Sequence, residues 1–318
     1  MKLRPDFLIV GMQRSGTLWL SAMLNGHPDI ASFPNLPFEG PDGEKRIGEM
    51  HFFNTLASIE QGSLENFARP LSDYLEKYGK VFADLVPLVG TLPKQEFYAR
   101  MVKRYSEVCE RERGSKKVVG ESTPAYVFHL DFIDSLYPGI KKICVLRDPK
   151  DRITSWHFSL ISKRRKEEGP ITKEFALQYI EERVKKEYEA LLRYQGSLFC
   201  TTYEFLTEHG IEALKEVCSY LGIEAPEKVL KDMIESGSFK EMTKRHSKSE
   251  GRERGDEGQW RGYLKAEEKL PYDLNPLRKG ITGDWENHIV RELAEVIDAA
   301  IAPLQTEVFL KYHLSGKK

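Results

Sequence analysis

The sequence predicts an α/β fold, a central parallel sheet flanked by helices on both faces. Short apolar runs alternate along the chain with long helical patterns, the order that builds parallel sheets. The first apolar run leads through a glycine-spaced turn into an apolar helix. With 318 residues, 40% of them hydrophobic and 31% charged, the chain is long enough for a sizeable core. We expect a single domain over 1–318.

Strands are expected at 7–10, 118–120, 143–146 and 198–203, because each run is short, apolar and bounded by turn or charged residues. Between them, helical patterns run over 17–25, 94–113, 149–162, 173–194, 211–221 and 290–300. The helix after 146 carries its own start signals. Asp148 is a good N-cap, Pro149 suits the first helical position, and Asp151 completes a capping-box-like pair. Segment 244–262 stands apart, with six basic residues, four acidic ones and Gly251, Gly255, Gly258 and Gly262. It is too polar for a core element and reads as a mobile lid or a solvated loop.

Charge and cysteine content exclude several classes. Lys+Arg number 48 against Asp+Glu 49, a net charge of -1, so bulk positive charge for nucleic acid is absent. Four cysteines stand far apart without a CxxC pair, which gives neither a zinc site nor a disulfide framework. Cys144 and Cys200 lie in apolar runs, as buried free thiols do. No apolar run approaches the roughly 18 residues of a membrane span, and no targeting segment is visible. The expected location is cytoplasmic.

Ligands of parallel sheets bind at the carboxyl ends of the strands, and each of three motifs sits just after a strand or in a C-terminal loop. The first is Gly11-Met12-Gln13-Arg14-Ser15-Gly16-Thr17-Leu18-Trp19, with the glycine spacing of a phosphate loop. Its backbone N–H groups and the following helix start suit an anion. Where a P-loop NTPase has Lys-Ser/Thr after the second glycine, this chain has Thr17-Leu18, so the lysine and the Mg²⁺ hydroxyl are missing. That pattern holds phosphate and fits a donor whose transfer needs no metal. The second motif is Arg147-Asp148-Pro149 with Ser155 eight residues past the arginine, a charged fork and a hydroxyl suited to phosphate. The third is Arg278-Lys279-Gly280-Ile281-Thr282-Gly283-Asp284-Trp285, two cations before a glycine that lets the backbone approach a ligand.

Together the three motifs resemble the sulfotransferases that use 3′-phosphoadenosine 5′-phosphosulfate (PAPS). Arg14–Trp19 is similar to the family's Lys/Arg-Ser-Gly-Thr-Thr-Trp loop except at Leu18, and Arg278–Trp285 to its Arg-Lys-Gly-x-x-Gly-Asp-Trp signature. The resemblance spans residues 7 to 288 in the family's order. It implies a P-loop-like sulfotransferase fold and a role for each matched residue. Arg14 takes the place of the loop lysine at the bridging oxygen; Ser15, Gly16 and Thr17 hold the 5′-phosphate. Arg147, Ser155, Arg278, Lys279 and Gly280 hold the 3′-phosphate, Trp19 stacks on adenine, and Tyr203 lies near its edge. No metal is implied. The acceptor is a hydroxyl compound, a carbohydrate, lipid or polyketide-type small molecule.

The base is chosen by branch. The cytosolic small-molecule branch uses a His where this chain reads Val118-Val119-Gly120-Glu121-Ser122-Thr123, without one. The glycosaminoglycan-type branch uses the Glu of Glu-x-x-Phe-Phe, which Glu49-Met50-His51-Phe52-Phe53 resembles. Glu49 is therefore the expected general base. His51 is the substitute or a partner of the acceptor, placed on Glu49's face if the segment is extended. Gly48 and Ser122 replace lysines of that branch, which weakens a polyanionic acceptor. A P-loop nucleotide kinase and a non-catalytic nucleotide-binding module are the alternatives.

Overall fold

The computed structural model describes residues 4–33, 36–39, 45–48, 51–61, 82–164, 169–238, 240–242 and 282–314. The lid expected at 244–262 lies outside them. The elements in order are β1 (Phe7–Val10), α1 (Thr17–Leu24), β2 (Ile30–Phe33), β3 (Leu36–Glu39), β4 (Lys45–Gly48), α2 (Phe52–Gln61), α3 (Lys94–Arg113), β5 (Val118–Ser122), α4 (Leu130–Leu136) and β6 (Lys141–Leu146). Then come α5 (Pro149–Arg164), α6 (Lys173–Tyr179), a π-helical turn (Ile180–Lys185), α7 (Lys186–Arg193), β7 (Phe199–Thr202), α8 (Tyr203–Glu208), α9 (Gly210–Leu221), α10 (Glu227–Ser236) and α11 (Arg291–Lys311).

Five strands form one parallel sheet in the order β2-β5-β1-β6-β7. β3 and β4 make a separate antiparallel pair. Side-chain alternation along β1 and β6 sends neighbours to opposite faces. Phe7, Ile9, Ile143 and Val145 pack with Leu20, Leu214 and Met233 of α1, α9 and α10. Leu8, Val10, Cys144 and Leu146 pack on the other face with Phe97, Leu191 and Ile297 of α3, α7 and α11. Both faces are covered, which is why these strands read as unbroken apolar runs. All four cysteines are buried and free.

The four expected strands are present, with ends shifted by a residue or two, and the helix expected at 94–113 matches α3. The helix read over 173–194 is present to Arg193, with a π-helical turn at Ile180–Lys185 inside it. Two expectations are corrected. Residues 51–54 are not extended: His51 has φ 49 and α2 starts at Phe52, so strand alternation cannot relate His51 to Glu49. The helical spacing of Phe52, Phe53, Leu56 and Ile59, all buried, explains why a helix wins. The second concerns Asp151, which does not close a capping box. Its carboxylate accepts from Gly283 N–H at 2.9 Å and Trp285 N–H at 3.1 Å, while Asp148 N–H donates to Glu204 Oε1 at 3.0 Å. Asp148 does cap the helix, accepting from Lys150 N–H at 2.7 Å.

Candidate functional site

The loop between β1 and α1 is tightly held. Gly11 has φ 138, and a Cβ there would stand 2.5 Å from the Val145 carbonyl oxygen of β6. Arg14 and Gly16 have φ 74 and 92, the left-handed region that turns successive N–H groups to one side. From below, the fully buried Glu187 of α7 accepts from Met12 N–H at 2.6 Å and pairs with the fully buried Arg152 of α5. Burial holds the Glu187 carboxyl above the usual range, although Arg152 opposes that shift. Ser15 Oγ is buried, and no described residue bonds to it. A buried hydroxyl without a partner is costly, so an anion seated on the loop would satisfy it.

The first two motifs meet. Arg14 Nε donates to Ser155 Oγ at 2.8 Å, and Arg147 Nη1 donates to the Arg14 carbonyl at 3.3 Å. The Arg147 guanidinium lies 4.1 Å from the Tyr203 ring centroid, a cation–π contact that fixes its position. Tyr203 is buried beneath Gly16, where a Cβ would stand 2.5 Å from the ring, and Trp19 lies 5.0 Å from it, centroid to centroid. Trp19 Nε1 also donates to the Gly237 carbonyl at 2.9 Å, anchoring the ring against the end of α10. The contacts of Asp151 with Gly283 and Trp285 bring the end of the third motif to the same helix start. Arg278, Lys279, Gly280 and Glu49 lie outside the described residues.

Sequence reasoning passed over the environment of Glu121. At the end of β5 its buried carboxylate accepts from Thr123 Oγ1 and Tyr126 OH, each at 2.7 Å, and from Tyr105 OH. Burial raises its pKa, and the three hydroxyls and the nearby His51 oppose that. Tyr126 OH accepts from Phe52 N–H at 2.9 Å, so this cluster fixes the start of α2 directly beside His51. The signal available was an acidic residue inside a strand whose neighbours were otherwise apolar or small. Among the described residues no group of three or more His, Cys, Asp and Glu side chains is placed to hold a metal ion. No described helix is long and apolar enough to cross a membrane.

The family described as "Sulfotransferase domain" matches residues 4–309. The chain belongs to this family. Among curated proteins, this sulfotransferase is 24% identical to sulfotransferase 1A1 of Rattus norvegicus over 249 residues, 75% of this chain and 77% of the relative. Its fold is shared with mouse sulfotransferase SULT7A1, solved in complex with 3′-phosphoadenosine 5′-phosphate (PAP), at TM-score 0.51 and 16% identity over 98% of this chain and 89% of that one. The sulfotransferase domain of the curacin biosynthetic pathway gives TM-score 0.51 and 15% identity over 95% and 99%. The central parallel sheet flanked by helices is thus the sulfotransferase fold.

Proposed function

We propose that this chain transfers a sulfuryl group from PAPS to an acceptor hydroxyl, with Glu49 as general base. The observation that carries this reading is the meeting of the first two motifs. Arg14 lies on Ser155, and Arg147 on Tyr203, which itself packs beneath Gly16. Two cations and the Ser155 hydroxyl thereby meet at a phosphate loop whose buried Ser15 hydroxyl has no partner among the described residues. These residues fit a nucleotide bearing phosphate at both ends.

When bound, PAPS supplies an activated sulfuryl group. The acceptor oxygen attacks sulfur in line, the bond from sulfur to the phosphate oxygen breaks, and PAP leaves. Glu49 takes the hydroxyl proton. Arg14 and the N–H groups of Ser15, Gly16 and Thr17 stabilise the charge that grows on the departing phosphate. Arg147, Ser155, Arg278, Lys279 and Gly280 hold the 3′-phosphate, and Trp19 and Tyr203 accommodate the adenine. His51, beside the start of α2 that the Glu121 cluster fixes, is assigned to orienting the acceptor. The Glu49-x-x-Phe52-Phe53 pattern supports a base like that of the glycosaminoglycan-type branch. Gly48 and Ser122, in place of lysines, argue for an acceptor other than a polyanionic polysaccharide.

The 3′-phosphate should be the main discriminator of the donor. A hydrogen bond to a charged group contributes roughly 1.5–3 kcal/mol, so Arg147→Ala is expected to weaken PAP binding by about tenfold or more in calorimetry. Adenosine 5′-monophosphate, which lacks the 3′-phosphate, should bind the variant and the parent alike. Equal weakening of both ligands would make Arg147 a structural residue of the loop.

A further inference from the structure

A cleft of about 520 Å³ opens beside the phosphate loop, with Met12 in its lining. Met12 of the loop and Phe128, just beyond β5, form its apolar wall. Phe128 is 40% exposed, so its ring is open to the cleft. The facing wall is the π-helical turn and α7, which contribute Arg183, Lys186 and Arg193 together with Glu182 and Glu189.

Arg183 is the fixed point of that wall. Its guanidinium lies 4.2 Å from the ring centroid of Trp156, the residue that follows Ser155 on α5, and 5.8 Å from that of Tyr179. The extra residue of a π-helical turn changes which side chains face a neighbour, and such turns gather at functional sites. Among the described residues no carboxylate is within ion-pair distance of Arg183, Lys186 or Arg193. Glu182 is engaged by the Gln178 amide at 2.8 Å. Three cations thus line the cleft against two carboxylates.

We propose that this cleft receives the acceptor, and that the acceptor is an amphiphilic hydroxy compound whose carboxylate, or a similar oxyanion, is bound by Arg183. This rests on the sulfotransferase reading, because the acceptor must reach the loop that holds the donor. Met12 brings the cleft to the loop itself, two residues from Arg14, which rests on Ser155. The volume lies within the range of small-molecule sites. Phe128 and Met12 cover the carbon skeleton, and Arg183 offers a planar fork that pairs with carboxylate through two N–H groups. Lys186 and Arg193 add attraction at the mouth.

The test uses the full chain, labelled PAPS and two matched pairs: 4-hydroxyphenylacetate with its amide, and 12-hydroxydodecanoate with its amide. Binding of PAP is measured first. The parent should prefer each acid over its amide by about tenfold or more in kcat/KM, the effect of one charged hydrogen-bonded contact. Arg183→Gln should bring the acids down to the level of the amides, chiefly through KM, with PAP affinity retained. Arg183→Lys, which keeps the charge without the fork, should recover part of the preference. Equal use of acid and amide, or turnover of none of the four by a protein that binds PAP, would overturn the proposal. So would an equal loss on both members of a pair in Arg183→Gln. A chain that does not bind PAP overturns the donor reading itself, and the acceptor assignment falls with it.

Discussion

Glu49→Gln is expected to lower kcat by about 10²–10⁴-fold, the usual contribution of a general base. The amide keeps the size of the side chain and much of its hydrogen bonding but cannot take the acceptor proton. The loss should appear in kcat and kcat/KM together, as for an interaction made in the transition state. PAP affinity should stay near that of the parent, because Glu49 lies outside the three donor motifs. His51 needs a substitution that respects its backbone. At φ 49 an alanine would add strain, whereas asparagine tolerates that region. His51→Asn should therefore cost less than Glu49→Gln, mainly in acceptor KM. A dead His51→Asn beside a near-normal Glu49→Gln would move the base to His51. Loss of PAP binding in Glu49→Gln would make Glu49 a support of the loop.

Glu187→Ala should be the most destabilising single change in the loop's foundation. It strips the partner from Arg152, whose guanidinium is fully buried between α5 and α7, and it orphans the Met12 N–H. Removing one member of a buried ion pair typically costs about 3–5 kcal/mol, because the remaining charge stays away from water. Urea unfolding should show a loss of that order, with an unchanged slope if both states keep their compactness. Glu187→Gln retains an acceptor for Met12 and should hold the loop better while still leaving the Arg152 charge uncompensated. A loss below about 1 kcal/mol in Glu187→Ala would mean that solvent reaches Arg152. The pair's function here is architectural: it ties the first residue after Gly11 to the helix that carries Ser155.

Where the sequence spoke plainly, one physical rule acted alone. β1 and β6 are apolar because both faces of the sheet are covered, and α1 follows a glycine whose left-handed conformation ends the loop. The motifs at Arg14, Arg147 and Ser155 were legible through residue type and spacing, and the fold brings them into contact. The misses have particular causes. β2 contains Ser32, a buried polar residue paired with the Ser21 hydroxyl at 2.7 Å, which breaks the apolar pattern of a strand. His51 shares a face with Glu49 only if the segment is extended, yet the buried positions that follow it, Phe52, Phe53, Leu56 and Ile59, keep a helical period. Asp151 looked like a local cap, but N–H groups 132 and 134 residues away claim its carboxylate, and no local pattern announces such a contact. Glu187 gives no sign of burial within a helix rich in charge, and the π-helical turn at Ile180–Lys185 shows only when the backbone is traced. Both shape the site, one beneath the loop and the other along the proposed acceptor cleft.

The central claim is that the loop, Arg147 and Ser155 together hold a nucleotide with a 3′-phosphate for sulfuryl transfer. Calorimetric titration of the full chain with PAP and with ATP, the latter with and without Mg²⁺, tests it most directly. The chain has Thr17-Leu18 where nucleotide kinases carry Lys-Ser/Thr, and two positioned cations at the Ser155 side. The account predicts that PAP binds at least about tenfold more tightly than ATP, one charged contact's worth of discrimination, and that Mg²⁺ does not close the gap. Tighter binding of Mg²⁺-ATP than of PAP would contradict it.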